Sequence, residues 1–559
     1  MLFRAKFPGV VLCWLCLMFA ASARADDLTI KTDKGKVHGR KSDDGQVRVF
    51  LGIPYAAPPV GPLRWKPPQP APKWSGVHES ADFGSRCMQP DIYHDMHFRD
   101  PGASEDCLNL NVWTPAKDKH AKLPVMVWIF GGGFVAGAAS EPRQDGQYLA
   151  HKGVVVVSMN YRLGIFGFFA HPDLAAESPQ HAAGNYGLMD QTAALRWVKK
   201  NIAAFGGDPN NVTIFGESAG SFSVSAQMAS PLAQGLFEHA IGESGAAFNS
   251  RGLSFKPAAD REKSDPAWAL ATFGTSDLAA LRAMSAEDIL QKMAAAAATQ
   301  ATAPGSARMP AGDRPDIDGY FLPESVPQIF KENKQAHVPL LAGWNRDEPS
   351  ALAVNEPTPP TVQSFQQTAQ KDFGEQSAEF LKAYPATTDA EAVRSAIDYM
   401  GARFLTFATW EWLNAQAADK HPAYRYHFER PSPSDKYHPA GSGAFHSDEI
   451  EYVFGTLDSR PEAVWQPEDH KLSDLIQTYW TNFARTGDPN GGGAPNHPGV
   501  PTSGTPGAPP NWPRYKADDG WQVMHLDVDS HAAPDDHRDQ WLFLEGAWGK
   551  QPVSNRQSN

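Results

Sequence analysis

Three short apolar runs set the frame of the chain. Residues 125–130 (VMVWIF) follow Pro124 and stop at Gly131, Val154 to Val157 form a second run, and Val212 to Phe215 form a third that stops at Gly216. Each is rich in β-branched residues and bounded by glycine or polar turns, the pattern of a strand buried on both faces. Between the second and third runs, residues 188–204 (LMDQTAALRWVKKNIAA) space their apolar positions as an amphipathic helix does. Strands that alternate with helices predict an α/β fold with a large, mainly parallel central sheet flanked by helices. Residues 255–310 are Ala-rich and show no strand pattern, so they are expected to be helices laid over the sheet edge.

Two segments punctuate this pattern. Residues 52–74 are dense in proline and aromatics and read as ordered coil held against a surface. Residues 487–510 (GDPNGGGAPNHPGVPTSGTPGAPP) are of low complexity and read as an exposed flexible loop. Aromatic-rich sequence resumes at Trp512, so this loop interrupts a domain and does not end one. No internal repeat is present.

The N-terminus follows a different rule. Arg4 and Lys6 precede the apolar stretch 9–20, and Ala23-Arg24-Ala25 supplies small residues for cleavage before Asp26. This is the layout of a signal peptide over residues 1–25, with an uncleaved anchor as the alternative. Residues 26–559 are then expected to be one domain, secreted or periplasmic, with no membrane anchor after cleavage, since no later stretch reaches the ~20 apolar residues a span requires.

Composition narrows the function. Hydrophobic residues make up 42% of the 559 positions, enough for a sizeable core, so wholesale disorder is excluded. The net charge of −13, without a Lys/Arg-rich run, argues against a nucleic-acid partner. Of four cysteines, Cys13 and Cys16 leave with the signal segment. Cys87 and Cys107 remain in an oxidising compartment, which predicts one disulfide, with two free thiols as the alternative. Closing this loop is worth about 3 kcal/mol in the chain-entropy model.

The chemistry gathers at Gly216-Glu217-Ser218-Ala219-Gly220, after a buried strand and before a stretch able to begin a helix. G-x-S-x-G in this context lifts a serine hydroxyl above the sheet on a turn too tight for larger flanking residues. A nucleophilic Ser218 needs donors for the developing oxyanion. Gly132 and Gly133, which follow strand 125–130, and Ala219, which follows the nucleophile, can supply three N–H groups, and losing one such donor costs about 3–4 kcal/mol of transition-state stabilisation. The same glycines fit a loose G-x-G-x-x-A dinucleotide fingerprint, but the next strand runs into Met159-Asn160-Tyr161-Arg162 with no acid to hold a ribose.

With these residues in view, the chain resembles the type-B carboxylesterases of the carboxylesterase/cholinesterase family, which have the α/β-hydrolase fold with helical insertions that form a substrate gorge. The likeness rests on Phe50 to Ala56, Ser104 to Val112 (SEDCLNLNV), Asn160 to Gly164, Gly184 to Gln191, Phe215 to Gly220 and Asn482 to Pro489. It implies a serine hydrolase of small-molecule carboxylic esters that uses an acyl-enzyme and needs no metal or organic cofactor.

Residue by residue, the resemblance implies His446 as base, within Gly443 to Ile450 (GAFHSDEI), and Glu348 as the acid of the triad, with Asp347 structural or solvated. Pro349 stands where the family usually has glycine. His438 matches no motif of the family and reads as a surface histidine. The resemblance further implies that Glu217 tunes the site electrostatically and that Ser244 hydrogen-bonds near the triad. Phe130, where many relatives have His or Tyr, implies an apolar wall. Gorge walls are expected from 255–310 and 350–420. The loop between Cys87 and Cys107 contains Tyr93 and Phe98 but no tryptophan, so it lacks the cation–π platform that cholinesterases use. Amide, carbamate or carbonate hydrolysis by the same triad is an open alternative. A non-catalytic binding module is another, but it would be expected to have lost one of the three residues.

Overall fold

The alternation of buried runs and helices becomes one mixed sheet of eleven strands. The structure is a computed structural model and describes residues 27–248, 253–300, 314–355, 357–418, 421–491 and 509–549. The expected signal segment 1–25 and residues 492–508 of the expected loop lie outside the described residues.

The strands are β1 (Arg40–Lys41), β2 (Arg48–Pro54), β3 (Asn109–Thr114), β4 (Leu123–Ile129), β5 (Val155–Met159), β6 (Gly207–Glu217), β7 (His239–Glu243), β8 (Leu340–Asn345), β9 (Ala423–Phe428), β10 (Gln522–Leu526) and β11 (His531–Pro534). They lie in the order β1-β2-β3-β5-β4-β6-β7-β8-β9-β10-β11. From β5 to β10 every pairing is parallel. The outer pairings are antiparallel. The middle strands carry the apolar runs, and residues 125–129 and 154–157 are fully buried on both faces, as a sheet covered by helices on both sides requires.

Four helices matter for the site: α1 (Tyr186–Asn201), α2 (Ala219–Ala229), α3 (Phe407–Ala417) and α4 (Pro467–Thr486). Helix α2 packs on β6 and β7, and α3 packs on β8 and β9. The helix expected over 188–204 is α1 plus a 3₁₀ turn at Ile202–Phe205 that ends on left-handed Gly206. The Pro-rich segment after β2 is ordered, as its composition predicts. Tyr55 Oη donates to the Asn160 carbonyl at 2.6 Å and Trp65 Nε1 to the Ile165 carbonyl at 2.8 Å.

One expectation is corrected. Residues 258–300 are helical, at Ala258–Phe273, Leu278–Ala283 and Ala286–Gln300. Their buried side chains do not cover the sheet edge. Phe273, Leu278, Leu281 and Ile289 instead join Trp65, Phe166 and Phe169 in a second apolar cluster apart from the sheet core. The aromatic residues of the coil after β2 and of the segment after β5 provide an apolar surface above the sheet, and the helices bury their apolar stripe there. Cys87 and Cys107 form a disulfide, as expected, with Cα atoms 4.9 Å apart.

Candidate active site

Strand β6 ends at Glu217 and α2 begins at Ala219, so a single residue makes the turn between them. Ser218 has φ 54° and ψ −123°, a strained conformation for a side chain with a Cβ. The turn is held by its neighbours: Ser218 N donates to the Glu243 carbonyl at 2.8 Å, and the Ser218 carbonyl accepts from Phe222 N at 2.9 Å. A Cβ on Gly216 would lie 2.5 Å from the Ile129 carbonyl oxygen, and one on Gly220 would run into that same oxygen. Glycine flanks the serine because β4 passes too close for anything larger.

Strand β8 delivers the acid and the segment before residue 450 delivers the base. His446 Nε2 lies 2.9 Å from Ser218 Oγ, and its Nδ1 lies 2.6 Å from Glu348 Oε2. An ionised carboxylate only accepts, so Nδ1 carries the proton and Nε2 offers its lone pair to the hydroxyl. Both partners are anchored. Asn345 N donates to Glu348 Oε1 at 3.2 Å, and His446 N donates to the Pro349 carbonyl at 2.8 Å. Asp347 is turned away. It pairs with Arg346 at 2.9 Å and Arg394 at 2.5 Å, and accepts from Ala444 N at 2.8 Å.

More acids stand behind the histidine than one orienting group. Glu217 Oε1 lies 3.2 Å from His446 Nε2, off the hydrogen-bonding direction. Glu449 is buried and accepts from Asn345 Nδ2 at 2.6 Å. Buried Glu243 accepts from Trp480 Nε1 of α4 at 2.7 Å. Burial is the largest influence on all three and, with their mutual repulsion, pushes them above the usual carboxyl range. For His446, burial disfavours the imidazolium, but the Glu348 and Glu217 carboxylates outweigh it and the net direction is upward.

The family model described as "Carboxylesterase family" matches residues 26–541. The chain belongs to that family. It is 36% identical over 507 residues to the fumonisin B1 esterase of Sphingopyxis macrogoltabida, covering 89% of this chain and 86% of that protein. It is 37% identical over 473 residues to the para-nitrobenzyl esterase of Bacillus subtilis strain 168, covering 82% of this chain and 90% of that protein. A solved structure of a thermophilic PNB esterase matches with a TM-score of 0.75 at 32% identity, over 93% of this chain and 100% of that one. The protein is a serine hydrolase of carboxylic ester bonds with the α/β-hydrolase fold.

In this esterase Ser218, His446, Gly132 and Gly133 line a cavity of about 400 Å³. The N–H groups of Gly132, Gly133 and Ala219 donate to no backbone carbonyl among the described residues. Gly132 and Gly133 have φ of 89° and 65°, and a Cβ on Gly132 would strike the Ala136 carbonyl. Phe130 is a wall residue, as its apolar character suggests, and stacks on Tyr161 with centroids 4.5 Å apart. A larger cavity, about 450 Å³ and lined by Lys66, Glu177 and Arg196, has no serine paired with a histidine.

Three features of the esterase differ from the reading of its sequence. Ser244 has φ 57° and a fully buried hydroxyl with no hydrogen-bond partner among the described residues, so the hydrogen bond expected of it is absent. His438 is not a free surface residue. Its ring stacks on Phe445 at 4.1 Å and 9°, its Nδ1 faces Asp435 at 3.2 Å, and it lines the catalytic cavity. Among the described residues the helices of 258–300 add nothing to the cavity wall. That wall comes from Tyr93, Asp95 and Met96 in the disulfide loop, from Leu253 and Arg314, and from Phe404 and Leu405. Phe404 and Leu405 lie on a single π turn, Ala402–Thr406, that enters α3, and Phe404 meets the His446 ring edge-on at 5.1 Å. No periodicity in the sequence marks such a turn. Glu449 had a sequence signal, an acid three residues after the expected base.

Proposed function

We propose that this esterase works through an acyl-enzyme on Ser218, with His446 as general base and Glu348 as its orienting acid. The observation that carries the reading is the continuous relay from Glu348 through His446 to Ser218, 2.6 and 2.9 Å, at the floor of a cavity. Ser218 Oγ attacks the ester carbonyl carbon as its proton passes to His446 Nε2. The carbonyl oxygen becomes an oxyanion facing the amides of Gly132, Gly133 and Ala219. Collapse breaks the bond to the alcohol oxygen, which leaves with the proton from His446. Water then attacks the acyl carbon, gives a proton to His446, and the carboxylic acid leaves as Ser218 recovers its hydrogen. Glu217 lies where it can stabilise the transient imidazolium by charge alone.

Phe130, Phe222, Phe404 and Leu405 give the cavity an apolar lining, and Asp95, Glu141 and Arg143 give it charged positions. This supports esters with an apolar portion at the serine and a polar portion toward the charged wall. The disulfide loop places Tyr93, Asp95 and Met96 in the wall and contains no tryptophan, so it lacks the cation–π platform that would favour a quaternary ammonium substrate. We read residues 26–559 as one hydrolase domain, on the support of a sheet whose strands run from Arg40 to Pro534. Secretion or periplasmic export is supported by the disulfide and the sequence of residues 1–25. No described helix is long and apolar enough to cross a membrane. The test is hydrolysis of p-nitrophenyl esters of increasing acyl length, with and without a prior organophosphate treatment. Turnover abolished by the treatment is expected; turnover that survives full treatment contradicts the acyl-enzyme.

A further inference from the structure

Strands β9 and β10 set two histidines side by side, away from the catalytic cavity. His427 and His525 are register partners on these parallel strands, so their side chains leave the same face of the sheet. Glu429 lies two residues beyond His427 and shares that face. Its N–H continues the ladder by donating to the Leu526 carbonyl at 3.0 Å. The carboxylate turns back onto the pair: Glu429 Oε1 lies 2.9 Å from His427 Nδ1 and 2.7 Å from His525 Nδ1. Two imidazole nitrogens and one carboxylate oxygen therefore converge on one point.

The surroundings are equally rich in imidazole. The His531 ring stacks on His525 at 5.2 Å and 14°, and the His537 ring meets His427 edge-on at 5.7 Å. Asp536 Oδ1 lies 2.6 Å from His537 Nδ1. The neighbouring cation, Arg425, is engaged by Asp535. His427 and His525 are 5% and 8% exposed, whereas the Glu429 side chain is partly open to solvent and gives an ion access.

We propose that His427, His525 and Glu429 form a binding site for a divalent transition metal of the zinc class, held through Nδ1 of each imidazole and the Glu429 carboxylate. Two imidazoles and a carboxylate are a ligand set suited to such ions. In the metal-free cluster each Nδ1 must carry a proton so that both can donate to one oxygen; on metal binding each neutral imidazole carries its proton on Nε2 instead, and the cation is held by the two freed Nδ1 lone pairs and the carboxylate. Tetrahedral ligands at about 2.0–2.1 Å from zinc lie about 3.3 Å apart, so each nitrogen needs to draw away from Glu429 Oε1 by only about half an ångström, and all three ligand atoms already lie within 4.8 Å of one another. A fourth position is left for water. The site would clamp β9 to β10, one strand in from the sheet edge. It stands apart from the ester chemistry: none of its three residues lines the cavity that holds Ser218.

The test uses the full-length protein purified without a polyhistidine tag and stripped with a chelator. Zinc chloride is titrated by calorimetry, and thermal unfolding is followed with and without zinc. One equivalent is expected to bind at micromolar affinity or tighter and to raise Tm, since a ligand that binds only the folded state stabilises it. His525→Gln and Glu429→Gln should each weaken binding by more than about tenfold, while p-nitrophenyl ester turnover stays within about twofold. Glu429 is partly exposed, so its variant keeps the test decisive if His525→Gln fails to fold. Absence of saturable one-to-one binding, or wild-type affinity in Glu429→Gln, overturns the proposal.

Discussion

Two histidine–carboxylate clusters stand at the ends of neighbouring parallel strands, and nearly the same side chains are disposed toward different chemistry. Beyond β8, Glu348 holds one imidazole whose other nitrogen meets a serine hydroxyl on a cavity floor. Beyond β9, Glu429 holds two imidazoles by the same Nδ1 contact, and among the described residues no hydroxyl is hydrogen-bonded to either ring. A His–acid pair is thus not a catalytic signature by itself. What faces the second ring nitrogen, and whether substrate can reach it, decides. The His438–Asp435 pair is intermediate: its ring lines the catalytic cavity, but Ser218 is served by His446.

This contrast predicts a graded series of effects on ester turnover. Among the carboxylates and the non-catalytic histidine, Glu348→Gln should be the most damaging, lowering kcat about 10⁴-fold, as expected when the base loses its orienting acid. Asp347→Asn alters an adjacent carboxylate whose partners are Arg346, Arg394 and Ala444. It should leave kcat within a few fold and cost about 1–3 kcal/mol of stability, read from denaturant unfolding. Equal loss of kcat in the two variants would show that the relay acid has been misassigned.

Glu217→Gln comes next. His446 must be neutral to accept a proton, so activity falls as pH drops through its folded pKa, which lies above the ordinary histidine value. Removing the Glu217 charge withdraws support from the imidazolium. The acid limb of the kcat/KM profile should therefore move to lower pH, with a kcat loss of about 10- to 100-fold. An acid limb that moves upward would contradict the electrostatic role.

His438→Gln should change KM by a few fold through the cavity wall and leave the acid limb in place. Glu429→Gln should be the mildest, with turnover within about twofold of the wild type.

Much of the sheet was legible because the apolar runs 125–130, 154–157 and 212–215 are contiguous and bounded by glycine or polar residues, and each falls on a central strand. Ser218 was legible from its local motif, because the tight turn imposes glycine on both sides. His446 and Glu348 carry no local signature among the many histidines and acids, and only likeness to a family singled them out. The positions that escaped depend on long-range packing. Helices 258–300 look alike whether they cover a sheet or a satellite cluster, and the stack of His438 on Phe445 has no periodicity. Glu429 and His525 are 96 residues apart and meet only because β9 and β10 are neighbours. Strand order is not written in either strand.

The acyl-enzyme on Ser218 is the central claim, and covalent labelling tests it most directly. Purified protein is treated with a fluorophosphonate and followed by intact-mass and peptide mass spectrometry beside Ser218→Ala. One adduct per chain, on Ser218, formed in step with loss of activity and absent from a folded Ser218→Ala whose kcat is down on the order of 10⁵- to 10⁶-fold, is the predicted result. An adduct on another residue, with turnover surviving in Ser218→Ala, would contradict the account.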